Sequence, residues 1–444
     1  MHQAPRSTSP LGRPAKAVLA ASVLALGLAA CGGSSTSQST SSSAASGAAG
    51  AASASTDLKA TLTYGLWDQT QVPAVQKVLA GFNAKYPGVK VNVNVTPYAD
   101  YWTKLQTQAS SKTLPDVFWM NGPNFQLYAA NKQLAPITDQ VKSGAIDPTK
   151  YPKALDDLYT LDGVQYGVPK DFDTIAIWAN TALFKEAGVA LPTGDWTWQQ
   201  FQDTAKQISD KLKSKGIYGA AAGMDGQTTY YDTIFQAGGT VVDGKKSGYD
   251  SAASQQGIQF WTDLIKSGAS PSVKQLTDTT ADQWFTSGKL AMYQGGSWFR
   301  SALTKGPVSS SVKVLPLPMG KQKATVIHGV ANVVAASSKN KEAAQALQDY
   351  FASQEAEQTL GSAGSVIPAY TGTQSTFAAS MPGADLQVFL DALAYAKPLP
   401  VSANTAAWNA LETDLLPDAF SGARPVADVT KELAAKMDTA LGHE

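Results

Sequence analysis

The chain has 444 residues, with 35 Lys plus Arg against 35 Asp plus Glu, ten Trp, sixteen Tyr and one Cys. Balanced charge without basic clusters argues against a nucleic-acid partner and against an electrostatic membrane surface. One cysteine excludes an intrachain disulfide, and the length exceeds what a single core holds, so two domains are expected.

Arg6, Arg13 and Lys16 precede an apolar run of 14 residues, Ala17 to Ala30, broken only by Ser22. The run falls short of the ~20 residues of a bilayer-spanning helix and suits the core of a secretory signal. Leu28-Ala29-Ala30-Cys31 then resembles the lipobox of bacterial lipoproteins. That resemblance implies cleavage after residue 30 and attachment of a diacylglycerol to Cys31, a membrane anchor of two or more acyl chains. Residues 32–56 consist only of Gly, Ser, Thr, Ala and Gln, a flexible tether with a reach of roughly 25–30 Å. Loss of the three basic leader residues leaves 32 Lys plus Arg against 35 acidic residues, a net charge near −3. The expected location is the outer face of the bacterial cytoplasmic membrane.

The body begins with "LKATLTYGLW", 58–67, which reads as a strand and a turn. Residues 72–85 carry Val75, Val78, Leu79 and Phe82 at helical spacing, with Pro73 suited to a first helical turn. Val89, Val91, Val93 and Val95 alternate as in a half-buried strand. A helix over 101–111 and a short buried strand over 114–120 follow. This strand–helix alternation indicates an α/β domain with a largely parallel sheet, whose ligands bind beyond the carboxyl ends of the strands. Trp67 and Asn121 occupy such positions. Further on, Thr197 caps a helix with Trp198, Phe201, Ala205, Ile208 and Leu212 on one face. Amphipathic helices are also predicted over 255–266 and 340–353. Trp67, Trp119, Trp178, Trp298 and Trp408 lie in stretches that read as strand ends or loops.

Four stretches in order resemble the extracellular solute-binding lipoproteins of carbohydrate ABC importers, the family related to maltose-binding protein. They are "LPDVFWMNGPNFQLYAANKQLAPITD" (114–139), "YGVPKDFDTIAIWANTALFKEAGV" (166–189), "GKLAMYQGGSWFRSAL" (288–303) and "VLPLPMGKQKATVIHGVANVVAASSKNKEAAQALQDYFAS" (314–353). The resemblance spans roughly 60–440. It implies a two-lobed periplasmic-binding-protein fold of the α/β class, with crossing hinge segments and a ligand cleft between the lobes. Lobe one would comprise 57–172 and 331–373, and lobe two 178–326 and 376–444. Crossings would fall near Phe172–Ile177, His328–Val330 and Thr373–Ser375. It further implies a sugar ligand, an ABC permease as partner and a monomeric chain with no cofactor.

A sugar presents C–H faces that an aromatic ring can cover and hydroxyls that need fixed donors and acceptors. Trp298 in "GGSWF" is the leading platform, because two glycines let the backbone approach closely. Trp408 and Trp67 are further platforms, Gln69 is the polar neighbour of Trp67, and Tyr231 is a lesser candidate. Asp171 and Asp173 beside the first crossing can accept hydroxyl protons, although one of them can instead pair with Lys170. Asn121 and Asn124 flank the Gly122-Pro123 turn pair, and either role, turn or hydroxyl contact, suits them. His328 at the second crossing can contact a sugar oxygen or serve the hinge. Arg300 can contact ligand or form a salt bridge.

Enzymatic readings fare worse. A glycosidase needs two carboxyls about 5–10 Å apart flanking the bond to be cut, whereas Asp171 and Asp173 are two residues apart. With His2 in the leader and His443 in the tail, one body histidine remains, so no histidine metal cluster is available. "GTVVDGKK", 239–246, has Lys246 where a phosphate loop needs a hydroxyl, and reads as a hairpin loop. The alternative is a binding lipoprotein for a noncarbohydrate solute such as a polyol or amino acid.

Overall fold

Strand–helix alternation resolves into two separate four-stranded sheets in a computed structural model that describes residues 56–444. The leader, Cys31 and the tether before Thr56 lie outside the described residues. In the first sheet the order is Val330–Val334, Val117–Asn121, Ala60–Leu66, Val89–Val95. The last three are parallel, with Tyr64 opposite both Val93 and Val117, while Val330–Val334 runs antiparallel on the edge. In the second sheet the order is Val312–Leu315, Ile175–Asn180, Leu290–Gly296, Tyr218–Ala220. Here Ile175–Asn180 is antiparallel to both neighbours, and Leu290–Gly296 is parallel to Tyr218–Ala220.

Local sequence explains the elements that pack on these sheets. The helix Val72–Lys85 has Pro73 in its first turn, and Val75, Val78, Leu79 and Phe82 turn inward onto the first sheet. The helix Trp198–Leu212 starts from a reciprocal cap. Thr197 Oγ1 accepts from the Gln200 amide at 3.3 Å, and Gln200 Oε1 accepts from the Thr197 amide at 2.8 Å. Its Phe201, Ala205, Ile208 and Leu212 enter the core of the second sheet. Residues 242–247 form the short hairpin, Val242–Asp243 pairing with Lys246–Ser247. Two tryptophans placed at strand ends or loops by the sequence lie within strands instead. Trp119 and Trp178 are fully buried mid-strand, where the large ring fills the space between sheet and covering helices. Among the described residues, no helix is long and apolar enough to cross a membrane.

The chain passes from the first sheet to the second at 171–175 and back at 327–330, and the two passages run side by side. Lys170 N donates to Val330 O at 2.8 Å and Asp173 N to His328 O at 2.8 Å. Pro169 bridges Ala331 and Asp173 bridges His328, both antiparallel. Ile367–Pro368 pairs with Asp171–Phe172 beside them.

Candidate functional site

Trp67 directly follows the strand Ala60–Leu66 and is only partly buried. Four rings surround it edge-on or tilted, Trp119 at 5.0 Å, Tyr101 at 5.1 Å, Tyr98 at 5.6 Å and Trp102 at 5.9 Å between centroids. Such edge-to-face packing fixes the indole without covering all of it. Tyr98 opens this aromatic wall toward solvent, being 53% exposed. Enough protein nonetheless surrounds its hydroxyl for burial to raise its pKa, and the carboxylate of Asp225, reached through the second sheet's elements, raises it further. Tyr98 was missed in the sequence because its helix, Tyr98–Ser110, starts three residues before the predicted boundary. The rule that ligands gather beyond strand carboxyl ends would have found it, since it follows Val89–Val95 by three residues.

Asn121 ends the strand Val117–Asn121 and caps the helix Gly122–Ala130. Its Oδ1 accepts from the Asn124 amide at 3.2 Å and from Asn124 Nδ2 at 2.9 Å, and its Nδ2 donates to the Tyr98 hydroxyl at 3.3 Å. Asn121 thus serves the turn and the aromatic wall at once, while Asn124 is held by its neighbour.

His328 Nε2 accepts the Gly122 backbone N–H at 3.0 Å, so the ring proton sits on Nδ1. Burial pushes the imidazole pKa down to about 3, keeping the ring neutral. Nδ1 lies 3.9 Å from Asp173 Oδ2, beyond hydrogen-bond reach. Asp173 Oδ1 accepts from Gln227 Nε2 at 2.8 Å, and burial, seconded by the nearby Asp171 charge, raises the Asp173 pKa well above the usual range. Gln227 was not foreseen. Its neighbours Asp225-Gly226 signal a turn, but nothing in the sequence ties that turn to residue 173.

The two acids part company. Asp171 is ion-paired with Lys170, and its Oδ1 accepts from Val330 N at 2.8 Å. Lys170 Nζ also lies 4.2 Å from the centre of the Trp119 ring, so both charges have partners at the crossing. The pairing with Lys170 therefore falls to Asp171, and Asp173 faces Gln227.

Trp298 is the second residue of the 3₁₀ turn Ser297–Thr304, which follows the strand Leu290–Gly296. It is partly buried and has no close ring partner among the described residues, and its indole folds back over Gly296. This turn packs near the 3₁₀ turn Gln69–Gln71, which follows the first strand of the other sheet. Ser365 links the two turns, donating from Oγ to Gln71 Oε1 at 3.3 Å and accepting at its carbonyl from Ser301 Oγ at 3.2 Å.

Trp408 and Tyr231 are committed to the interior, and the expectation that these two meet ligand is corrected, whereas Arg300 is only partly buried. Trp408 is fully buried in the helix Thr405–Phe420, its Nε1 donating to Ser402 Oγ at 2.9 Å. Tyr231 is buried and donates to Glu412 Oε2 at 2.8 Å, alongside Tyr230 at 3.2 Å and Tyr249. Burial pushes Glu412 up to about 8. Arg300 donates from Nη2 to Ser380 O at 3.0 Å, and its sealed Nε and Nη1 find no partner among the described residues. It makes no salt bridge there, and burial lowers its pKa.

The sequence profile of the bacterial extracellular solute-binding proteins matches residues 67–358. The chain is 27% identical over 330 residues to a diacetylchitobiose-binding protein, DasA, of Streptomyces coelicolor, covering 71% of this chain and 74% of the relative. It is 24% identical over 367 residues to the maltodextrin-binding protein MdxE of Bacillus subtilis, covering 76% of each. Among solved structures, an ABC substrate-binding protein of Listeria monocytogenes in complex with cycloalternan shares the fold. It has a TM-score of 0.80 at 24% identity, covering 86% of this chain and 99% of that one.

Proposed function

Because the chain belongs to the family of bacterial extracellular solute-binding proteins, we propose that it captures a sugar of oligosaccharide size between two closing lobes and delivers it to the membrane permease of an ABC importer. The relatives named above for chitobiose and maltodextrin point to that ligand class. The observation that carries the reading is the aromatic cluster of Trp67 and Tyr98 beyond the carboxyl ends of the first sheet's strands, with hydrogen-bonding side chains at the nearby crossing. Trp67 and Tyr98 follow strands of the first sheet and Trp298 follows a strand of the second, with Asp173, Gln227 and Asn121 supplying polar groups. Rings cover C–H faces and fixed polar groups meet hydroxyls, which is the chemistry a sugar requires.

The division into lobes 57–172 plus 331–373 and 178–326 plus 376–444 fits the two sheets, with the paired passages at 171–175 and 327–330 as hinge. Sugar touching both lobes only in the closed form would drive closure, and a shift from 1:99 to 99:1 needs a preference of ~5.5 kcal/mol. Hydrolysis has no support in the acids at the crossing, since Asp171 is paired with Lys170 and Asp173 is bonded to Gln227. Cys31 would carry the lipid anchor that tethers a monomer to the membrane.

A thermal-shift panel of maltose, maltotriose, lactose, N,N′-diacetylchitobiose, mannitol and the amino acids tests the reading. A binder gains stability from what it holds. A rise in Tm with sugars alone is expected; a rise with amino acids alone, or with mannitol alone, would replace the sugar with that solute.

A further inference from the structure

The polar side chains at the crossing leave two acceptors unused. Gln227 Nε2 is committed to Asp173 Oδ1 at 2.8 Å, while Gln227 Oε1 accepts no hydrogen bond among the described residues. Asp173 Oδ2 has as its nearest recorded polar neighbour His328 Nδ1 at 3.9 Å, too far to bond. Neither oxygen belongs to the sealed, partnerless atoms of the interior, in contrast to Nε and Nη1 of Arg300.

The turn that carries Gln227 is rigidly built. Gly226–Tyr230 is a single turn of π-helix, a form concentrated at functional sites, and Asp225 caps it by accepting from Thr228 N at 2.7 Å. A Cβ on Gly226 would lie 2.4 Å from the Tyr231 ring, so that ring packs hard against the turn. Tyr231 is pinned in turn by Glu412, which also receives the Tyr230 and Tyr249 hydroxyls. The Tyr231 and Glu412 cluster thus braces the turn that carries Gln227. On the other side, Asp173 is held by backbone bonds in both directions with His328. A side chain bridging two such fixed elements is oriented before any ligand arrives, the condition for specific recognition.

We propose that Gln227 is a specificity-determining residue of the cleft, its Oε1 and the Asp173 Oδ2 taking two adjacent hydroxyls of one sugar ring while the Gln227–Asp173 bond holds them in register. This inference rests on the cleft being the sugar site. Removing one hydroxyl of the pair leaves a desolvated polar group without its partner, which is how a hydrogen-bonding site rejects a deoxy analogue. The same bond ties the second lobe to the crossing segment, so the recognition element sits where lobe motion is taken up.

The experiment has two arms. In the first, calorimetry compares wild type, Gln227→Met and Asp173→Asn with maltose, lactose and N,N′-diacetylchitobiose, and with the monodeoxy analogues of whichever binds wild type. Wild type is expected to weaken at least tenfold for one or two adjacent deoxy positions. Gln227→Met is expected to lose at least tenfold for the parent sugar and to discriminate no longer between parent and those analogues. Asp173→Asn keeps an acceptor for Gln227 but replaces Oδ2 by a donor, and should lose the same discrimination. Unchanged affinity and unchanged discrimination in both variants overturn the proposal. In the second arm, the Asp173 side-chain carboxyl is titrated by carbon-13 NMR in sugar-free wild type and Gln227→Met. Loss of the amide bond should move its titration to higher pH, and an identical titration overturns the pairing. Failure of every sugar to bind wild type would instead count against the proposed function, with the second arm still deciding the pairing.

Discussion

The indole of Trp298 lies against Gly296 so closely that a Cβ on residue 296 would stand 1.8 Å from its Cζ3. Gly296 has φ −76° and ψ 166°, a conformation open to any residue, so the glycine is required by the ring and not by the backbone. Gly296→Ala must therefore displace the indole. Overpacking of this kind costs about 1–3 kcal/mol, measurable by chemical denaturation, and should shift the tryptophan emission. An alanine variant with wild-type stability and emission would show that the indole is not held there.

Trp298→Ala removes the proposed platform itself. Sugar affinity should fall at least tenfold in calorimetry. Unfolding of the sugar-free protein should stay cooperative, because the ring is only partly buried and has no close ring partner among the described residues.

Glu412 makes stability depend on pH through a sign that can be worked out. Its carboxyl is pushed up to about 8 by burial, against ~4.3 in an unfolded chain. Between those values the folded protein holds a proton that the unfolded chain has released, so stability falls as pH rises from ~4.3 to 8 and levels off above. Glu412→Gln cannot titrate yet can still accept from the tyrosines. The variant should lose less stability than wild type over that window, by a difference on the order of 4 kcal/mol at most. Parallel denaturation curves at pH 5 and pH 8 for the two proteins would contradict this.

His328 acts with the opposite slope. Burial lowers its folded pKa to about 3 against ~6.5 unfolded, so the unfolded chain binds the extra proton and stability falls as pH drops from 6.5 toward 3. His328→Gln should remove that acid-side loss while leaving an acceptor for the Gly122 amide. His328→Leu, with none, should cost about 1–3 kcal/mol at neutral pH by leaving a buried N–H unpaired. Equal stability of the two variants would show that the Gly122 bond contributes nothing.

The regular elements were legible because their signals are local. Val75, Val78, Leu79 and Phe82 face inward as their spacing requires, and Thr197 caps its helix. Trp408 was misplaced for a physical reason. Its helix buries Thr405, Trp408, Glu412, Leu416 and Ala419 along one stripe, and a charged residue in the middle hides an otherwise readable helical period. The same Glu412 took Tyr231 into the interior, through hydroxyl bonds across 181 residues of sequence. Asp173 and Gln227 are 54 residues apart, and only the tertiary fold joins them. Long-range polar pairs leave no periodic trace, which is why Gln227 could not be read in advance.

The first sheet borrows its edge from far down the chain. Val330–Val334 pairs with Val117–Asn121, after the whole of the second sheet's strands has intervened. A nascent polypeptide that has reached only residue 320 thus lacks the piece that closes its amino-terminal half. Neither half can mature ahead of the other, and such distant pairing makes for slow folding. A chain ending before 330 should stay open to proteases throughout, where a bead-on-a-string arrangement would already have yielded one resistant core.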